Sequence, residues 1–170
     1  RPLTNLAITL LGVFWIGGSA SFGALLLKLN DGPKLLLGAI AVTAIADTSA
    51  FFGGKSFKHA IFGARTFNEW SPGKSWEGTV FGILGATVGA LALDAIFNIG
   101  VTWWHAALFG LVIGIVAVIG DLFESMLKRD LKLKDMGSLL PGHGGLLDRV
   151  DAILFALPAA YFVARVLEYL

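Results

Sequence analysis

The run Trp103-Trp-His-Ala-Ala-Leu-Phe-Gly-Leu-Val-Ile-Gly-Ile-Val-Ala-Val-Ile-Gly-Asp-Leu-Phe-Glu124 passes directly into a hydrophilic run, Ser125-Met-Leu-Lys-Arg-Asp-Leu-Lys-Leu-Lys-Asp-Met-Gly-Ser-Leu-Leu-Pro-Gly-His-Gly-Gly-Leu-Leu-Asp-Arg-Val-Asp151. A helix that crosses a bilayer needs about 20 mostly apolar residues. The first run satisfies that, and so do four other segments, at about 5–27, 34–53, 77–99 and 149–169. Backbone in lipid must satisfy its own hydrogen bonds, and long unbroken apolar runs do not suit the alternating pattern of a membrane barrel. The expected fold class is therefore all-α: a polytopic integral membrane protein of about five transmembrane helices, with two polar loops forming the site.

Composition agrees with this reading. Of 170 residues, 56% are hydrophobic and 15% charged, and mean hydropathy is +0.77; in soluble domains charged residues run near a quarter. The net charge of +1 arises from basic residues gathered in two loops, which excludes a nucleic-acid-binding face. With no cysteine there is no disulfide and no thiolate metal site, so any metal must be held by oxygen or histidine. The chain opens on Arg1, which leads us to expect a fragment or a processed form. A signal peptide at the start is disfavoured, because the apolar stretch exceeds the core of about 7–15 residues that such peptides have.

The loops after the second and fourth spans carry Lys55, Lys58, Arg65 and Lys74, then Lys128, Arg129, Lys132, Lys134 and Arg149. The positive-inside rule puts both on the cytoplasmic face, so a site built from them opens to the cytoplasm from the cell (inner) membrane.

Acids bracket the basic run: Asp121 and Glu124 before it, Asp148 and Asp151 after it. On a helix Asp121, Glu124, Ser125 and Lys128 share one face. Carboxylates with lysines, an arginine and a histidine between them are what a site for Mg²⁺ and a polyphosphate needs, since Mg²⁺ takes one or two carboxylates plus substrate phosphates. The same pattern would also suit a plain charged loop, and acids in the first turn of a helix suit its dipole.

Asp47, within the second span, is a functional candidate by depth alone, against the alternative of a packing hydrogen bond. In Ser71-Pro-Gly-Lys-Ser-Trp-Glu-Gly78, Pro72 and Gly73 make a turn and Ser75 suits the N-cap of the third span. His59, His105 and Asp94 are read as structural or interfacial. Gly78, Gly82, Gly85, Gly89, Gly110 and Gly114 recur at helix-packing spacing, either within one subunit or in a homodimer.

The pattern Ser125-x-Leu-Lys-Arg-x4-Lys-Asp-x-Gly-x2-Leu-Pro-x-His-Gly-Gly-Leu-x-Asp-Arg-Val-Asp151 is similar, position for position, to the signature of the phosphatidate cytidylyltransferases, also called CDP-diacylglycerol synthases. The Ser71–Gly78 string and Asp47 with its following Phe-Gly resemble that family too.

The resemblance implies one transmembrane catalytic domain over 1–170. Its reaction would transfer CMP from CTP to phosphatidic acid, giving CDP-diacylglycerol and pyrophosphate in phospholipid biosynthesis, with Mg²⁺ and a second cation such as K⁺. By motif position it implies metal ligands Asp121 and Asp148, with Asp151 and Asp47 as further contributors. Lys128, Lys134 and His143 join Asp121 and Asp148 as catalytic residues, and Lys74, Ser75, Ser125, Arg129 and Arg149 contact substrate. Glu77 is a further candidate for a metal or a lysine.

Two departures accompany the resemblance. The family has additional N-terminal spans, expected to be missing from this chain. Its Gly-Arg-x-Phe-Gly-Lys stretch reads Gly53-Gly-Lys-Ser-Phe-Lys58 here, which leaves the roles of Lys55 and Arg65 open. Two other readings compete: a CTP-dependent polyprenol or phytol kinase, and an ion or solute transporter with Asp47, Asp121 and Asp148 along its pathway.

Overall fold

A computed structural model of the chain describes residues 2–57, 60–61, 63, 71, 73–133, 136–137 and 145–168. Among the described residues all regular structure is helical: α1 (Pro2–Gly12), a π-helical turn (Val13–Gly18), α2 (Ser19–Leu26), α3 (Gly32–Ser56), α4 (Trp76–Phe97), α5 (Trp103–Asp130) and α6 (Leu147–Glu168). Five stretches are long and apolar enough to cross a membrane: Pro2–Leu26, Gly32–Ser56, Trp76–Phe97, Trp103–Asp130 and Val150–Leu167. The chain is a multi-pass, all-α membrane protein, as the apolar runs require.

The first span is continuous but not uniform. A π-helical turn holds more residues than an α-turn, so it rotates the helix face that follows it. Before it, α1 buries nothing; after it, α2 buries Ser19, Gly23 and Leu26. The turn itself lays Trp15 against Phe123 of α5 and Phe155 of α6, with ring centroids 5.0 Å and 5.8 Å away.

Helices α3 to α6 pack in chain order, and α6 returns to touch α2 and α3. Without a hydrophobic drive between helices in lipid, close approach of small residues holds them together. A Cβ placed on Gly110 would stand 2.6 Å from the Ala86 carbonyl oxygen and 2.7 Å from the Thr87 Cα, so α4 and α5 touch through their backbones. The core shared by α3 to α6 is correspondingly fine-grained: Val42, Ala46, Ala86, Ile113, Ala117 and Ala156.

Helix α5 runs to Asp130, past the boundary near 124 expected from hydropathy. Apolar runs report lipid, whereas a helix continues as long as its hydrogen bonds and side-chain pairs are met. Here Lys128 bonds to Glu124 one turn back, at 2.9 Å. The expected cap of the third span is present, since Ser75 Oγ accepts the Gly78 N–H at 3.1 Å.

Replacing Gly110 with Leu should force α4 and α5 apart and cost about 2–3 kcal/mol. Gly12→Ala, at a position where a Cβ meets nothing within 4 Å, should stay within about 0.5 kcal/mol of the parent. Thermal unfolding in detergent, followed by loss of the monodisperse peak on size exclusion, would separate the two.

Candidate active site

The helices bring their charged ends to one place because α3 and α5 finish at the end of the bundle where α4 and α6 begin. Asp47 comes from α3, Lys74 and Ser75 from the approach to α4, Asp121, Glu124 and Lys128 from the last turns of α5, and Asp148 and Asp151 from the first turn and a half of α6. A cavity of about 620 Å³ lies among them, and all eight residues line it, together with Ala46, Ala50, Gly54, Gly78 and Gly82. That is the size range of small-ligand sites, about 300–1,000 Å³.

Lys128 is the hub. Its Nζ lies 2.9 Å from Glu124 Oε2 and 3.0 Å from Asp148 Oδ1, tying α5 to α6. The other Asp148 oxygen, Oδ2, accepts the Met136 N–H at 2.9 Å and the Gly145 N–H at 2.8 Å. Asp148 thus anchors described points of the 131–146 connection to the helix ends. A Cβ on Gly145 would stand 2.8 Å from the Met136 carbonyl carbon and 2.9 Å from Asp148 Oδ2, so only glycine fits. Burial by itself would raise the Asp148 pKa, but hydrogen bonding with Glu124, the Lys128 ammonium and the Gly145 and Met136 N–H groups outweighs it and holds the carboxyl at about 2, below its ordinary 3.8.

On the other side of the cavity Lys74 pairs with Asp121, joining the segment before α4 to α5. Between the two lysines the carboxylates of Asp121, Glu124 and Asp151 converge, with one oxygen from each lying within 4.8 Å of the others. Glu124 is 2% exposed and its Oε1 has no hydrogen-bond partner. A buried carboxylate oxygen without a donor, facing two more carboxylates, is a donor set for a hard cation, which takes oxygen ligands.

The structure therefore brings together Asp47, Lys74, Ser75, Asp121, Lys128, Asp148 and Asp151. Asp47 and Asp148 line the cavity but stand outside the three-carboxylate cluster. Ser75 contributes to the wall while its hydroxyl serves as the helix cap. Ser125, half-buried, and Arg129, exposed, lie on α5 outside the cavity lining. Lys134 and His143 lie outside the described residues, as do His59 and Arg65, and of Arg149 only the backbone position in α6 is described.

Glu124 was not among the expected ligands, although it shares the face of Asp121 and Lys128; its burial against α6 is the missing information. Glu77, 1% exposed, accepts the Ile61 N–H at 3.2 Å and fastens the connection after α3.

The description of the cytidylyltransferase family matches residues 1–167. Among curated proteins the chain is 37% identical to the phosphatidate cytidylyltransferase of Mycobacterium bovis over 166 residues, covering 97% of this chain and 52% of that protein. It is 38% identical to that of Helicobacter pylori over 158 residues, 90% of this chain and 54% of that one. It is 37% identical to the chloroplastic phosphatidate cytidylyltransferase 4 of Arabidopsis thaliana over 181 residues, covering 92% and 45%. The chain spans about half the length of the curated relatives it matches.

Because the folded pKa of Asp148 is depressed, its contribution to stability is complete above its ordinary pKa of 3.8 and is lost as pH falls through about 2. The parent should accordingly be more heat-stable than Asp148→Asn at pH 5, with the gap closing in the range between those two values. Melting temperatures of both proteins across that range would check it; a gap independent of pH would contradict the ion-pair assignment.

Proposed function

This chain belongs to the cytidylyltransferase family, and we propose that it forms the catalytic part of a phosphatidate cytidylyltransferase, which transfers CMP from CTP to phosphatidic acid and releases pyrophosphate. The observation that carries this reading is the single cavity in which the Asp121, Glu124 and Asp151 carboxylates face Lys74 and Lys128 at one end of a membrane bundle. A transporter would spread its acids through the membrane depth; here the acids that line the cavity gather at one end.

In the reaction a phosphate oxygen of phosphatidic acid forms a bond to the α-phosphorus of CTP. The bond from that phosphorus to the bridging oxygen breaks, and the electron pair leaves with pyrophosphate. The nucleophile is ionised near neutral pH, so no strong base is needed. What remains is to align two polyanions and offset their charge. Asp121, Glu124 and Asp151 would hold Mg²⁺, with Asp47 and Asp148 beside them and room for a second cation such as K⁺. Mg²⁺ would supply charge neutralisation to the triphosphate.

Lys74 and Lys128, now paired with carboxylates, are placed to exchange those partners for phosphate oxygens. Asp148 holds Lys128 and the backbone at Met136 and Gly145 in place. The cavity wall also includes Phe51, Ala50 and Val118, and Phe51 is 62% exposed. Phosphatidic acid would enter along that wall with its acyl chains left in the bilayer, and CTP would enter from the cytoplasm across the polar end.

The test is turnover of CTP labelled at its α-phosphorus, with phosphatidic acid and Mg²⁺, by protein in nanodiscs. Label should pass into a CDP-lipid, with pyrophosphate released in equal amount. EDTA should abolish this, and Lys128→Met and Asp121→Asn should each reduce it by about 100-fold or more. Transfer of the γ-phosphate instead would identify a kinase and overturn the reading.

A further inference from the structure

At the end of the bundle opposite the catalytic cavity, α3, α4, α5 and α6 enclose a second cavity of about 270 Å³. Its walls are apolar, with Leu35, Val42, Leu93 and Phe109 among them. Besides Asn30, Asp31 and Lys34 at the turn into α3, two polar side chains enter this lining. Asp94 comes from the last turn of α4, and His105 from the first turn of α5. Asp94 Oδ1 and His105 Nε2 are both buried and neither has a hydrogen-bond partner.

A buried polar atom in an apolar wall is costly without a partner, and a carboxylate oxygen more so. The cation at the rim is already engaged, since Lys34 Nζ bonds to Asp31 Oδ1 at 2.8 Å. Counting Asp31, Lys34 and Asp94, the lining carries one negative charge in excess. The His105 ring packs against Trp104, with centroids 3.8 Å apart, which restricts its orientation. Among the described residues the group of three or more acids and histidines close enough to hold a metal together is Asp121, Glu124 and Asp151, at the other end, and Asp94 and His105 belong to no such group. An organic cation therefore fits this cavity better than a metal ion does.

We propose that this cavity binds a membrane lipid through a primary ammonium head group. An ammonium carries three N–H donors. One goes to Asp94 Oδ1, matching its charge, and one to His105 Nε2, which accepts when the ring proton is on Nδ1. The two methylenes next to the ammonium lie along the Leu35, Leu93 and Phe109 walls, and the phosphodiester that follows sits at the rim beside Lys34. A trimethylated ammonium has no N–H to give and would leave both atoms unpaired.

The experiment uses that difference. The full chain is placed in nanodiscs containing equal amounts of phosphatidylethanolamine and phosphatidylcholine, released into detergent, and the lipid that stays bound is weighed by native mass spectrometry. The two lipids share phosphate and acyl chains and differ only in N-methylation. The parent should retain phosphatidylethanolamine over phosphatidylcholine by roughly tenfold, and Asp94→Asn should bring the ratio close to one. Gly38→Leu is the second variant. Gly38 lines the cavity and a Cβ there meets nothing within 4 Å, so the side chain fills the space without straining the fold and should remove the preference too. Equal retention of the two lipids by the parent, or an undiminished preference in either variant that folds, would overturn the proposal.

Discussion

An ammonium group held between two carboxylates at the end of a membrane bundle is the constraint on which the rest of this structure depends. Lys128 bonds to Glu124 on its own helix and to Asp148 on the next. Removing Lys128 would leave two carboxylates without their cation, at a cost of about 3–5 kcal/mol when such a pair is buried, whereas removing either acid leaves the lysine one partner. An apolar trio of similar volume would satisfy α5 and α6 equally well, so stability alone does not account for the arrangement. What the ion pairs add is position. They fix the carboxylates relative to one another, and through Asp148 Oδ2 they fix the backbone at Met136 and Gly145. The Lys74 to Asp121 pair does the same across the cavity, in a more exposed setting where the attraction is weaker.

Small residues supply the second condition. A Cβ on Gly78 would stand 2.9 Å from the Ala50 carbonyl oxygen, and one on Gly82 3.1 Å from the Ala50 Cβ. Both glycines also line the cavity lined by Asp121 and Lys74. The contact that clamps α3 to α4 is thus the same surface that leaves room for a ligand. Larger side chains at these positions would both part the helices and occupy the site. This couples the precision of the helix packing to the volume available for chemistry.

Much of this was legible in the residues themselves, for a physical reason. In a chain that lives in lipid, ionisable side chains are expensive, so Asp47, Asp121, Lys128, Asp148 and Asp151 stand out without any coordinates. The span count, the Ser75 cap and the glycine faces follow from equally local rules. What was not legible is pairing across the chain. Lys74 meets Asp121, and Glu124 is sealed against α6, only because helices far apart in sequence end at the same level. Hydropathy also stopped α5 too early, since a helix held by the Glu124 to Lys128 bond does not end where its apolar run does. Asp94 and His105 read as isolated structural residues for the same reason, because the cavity they share appears only when α4 and α5 are packed.

The three-carboxylate cluster shows where the balance between fold and function lies. Asp121, Glu124 and Asp151 repel one another, and Glu124 Oε1 has no donor to offset its burial. Lys74 on Asp121 and Lys128 on Glu124 offset part of this repulsion, and Lys128 is shared with Asp148. What remains uncompensated, the Glu124 Oε1 lone pairs above all, works against folding, and local rules are broken in this way where a site needs them broken. The cation proposed for this cluster would act the other way, because it would attract all three carboxylates at once and bind the folded chain in preference to the unfolded one. The groups that oppose folding would then be the groups through which that cation stabilises the bundle. On that proposal cation binding, the backbone at Met136 and Gly145, and helix packing form a single equilibrium, with Lys128 and Asp148 as the link between them.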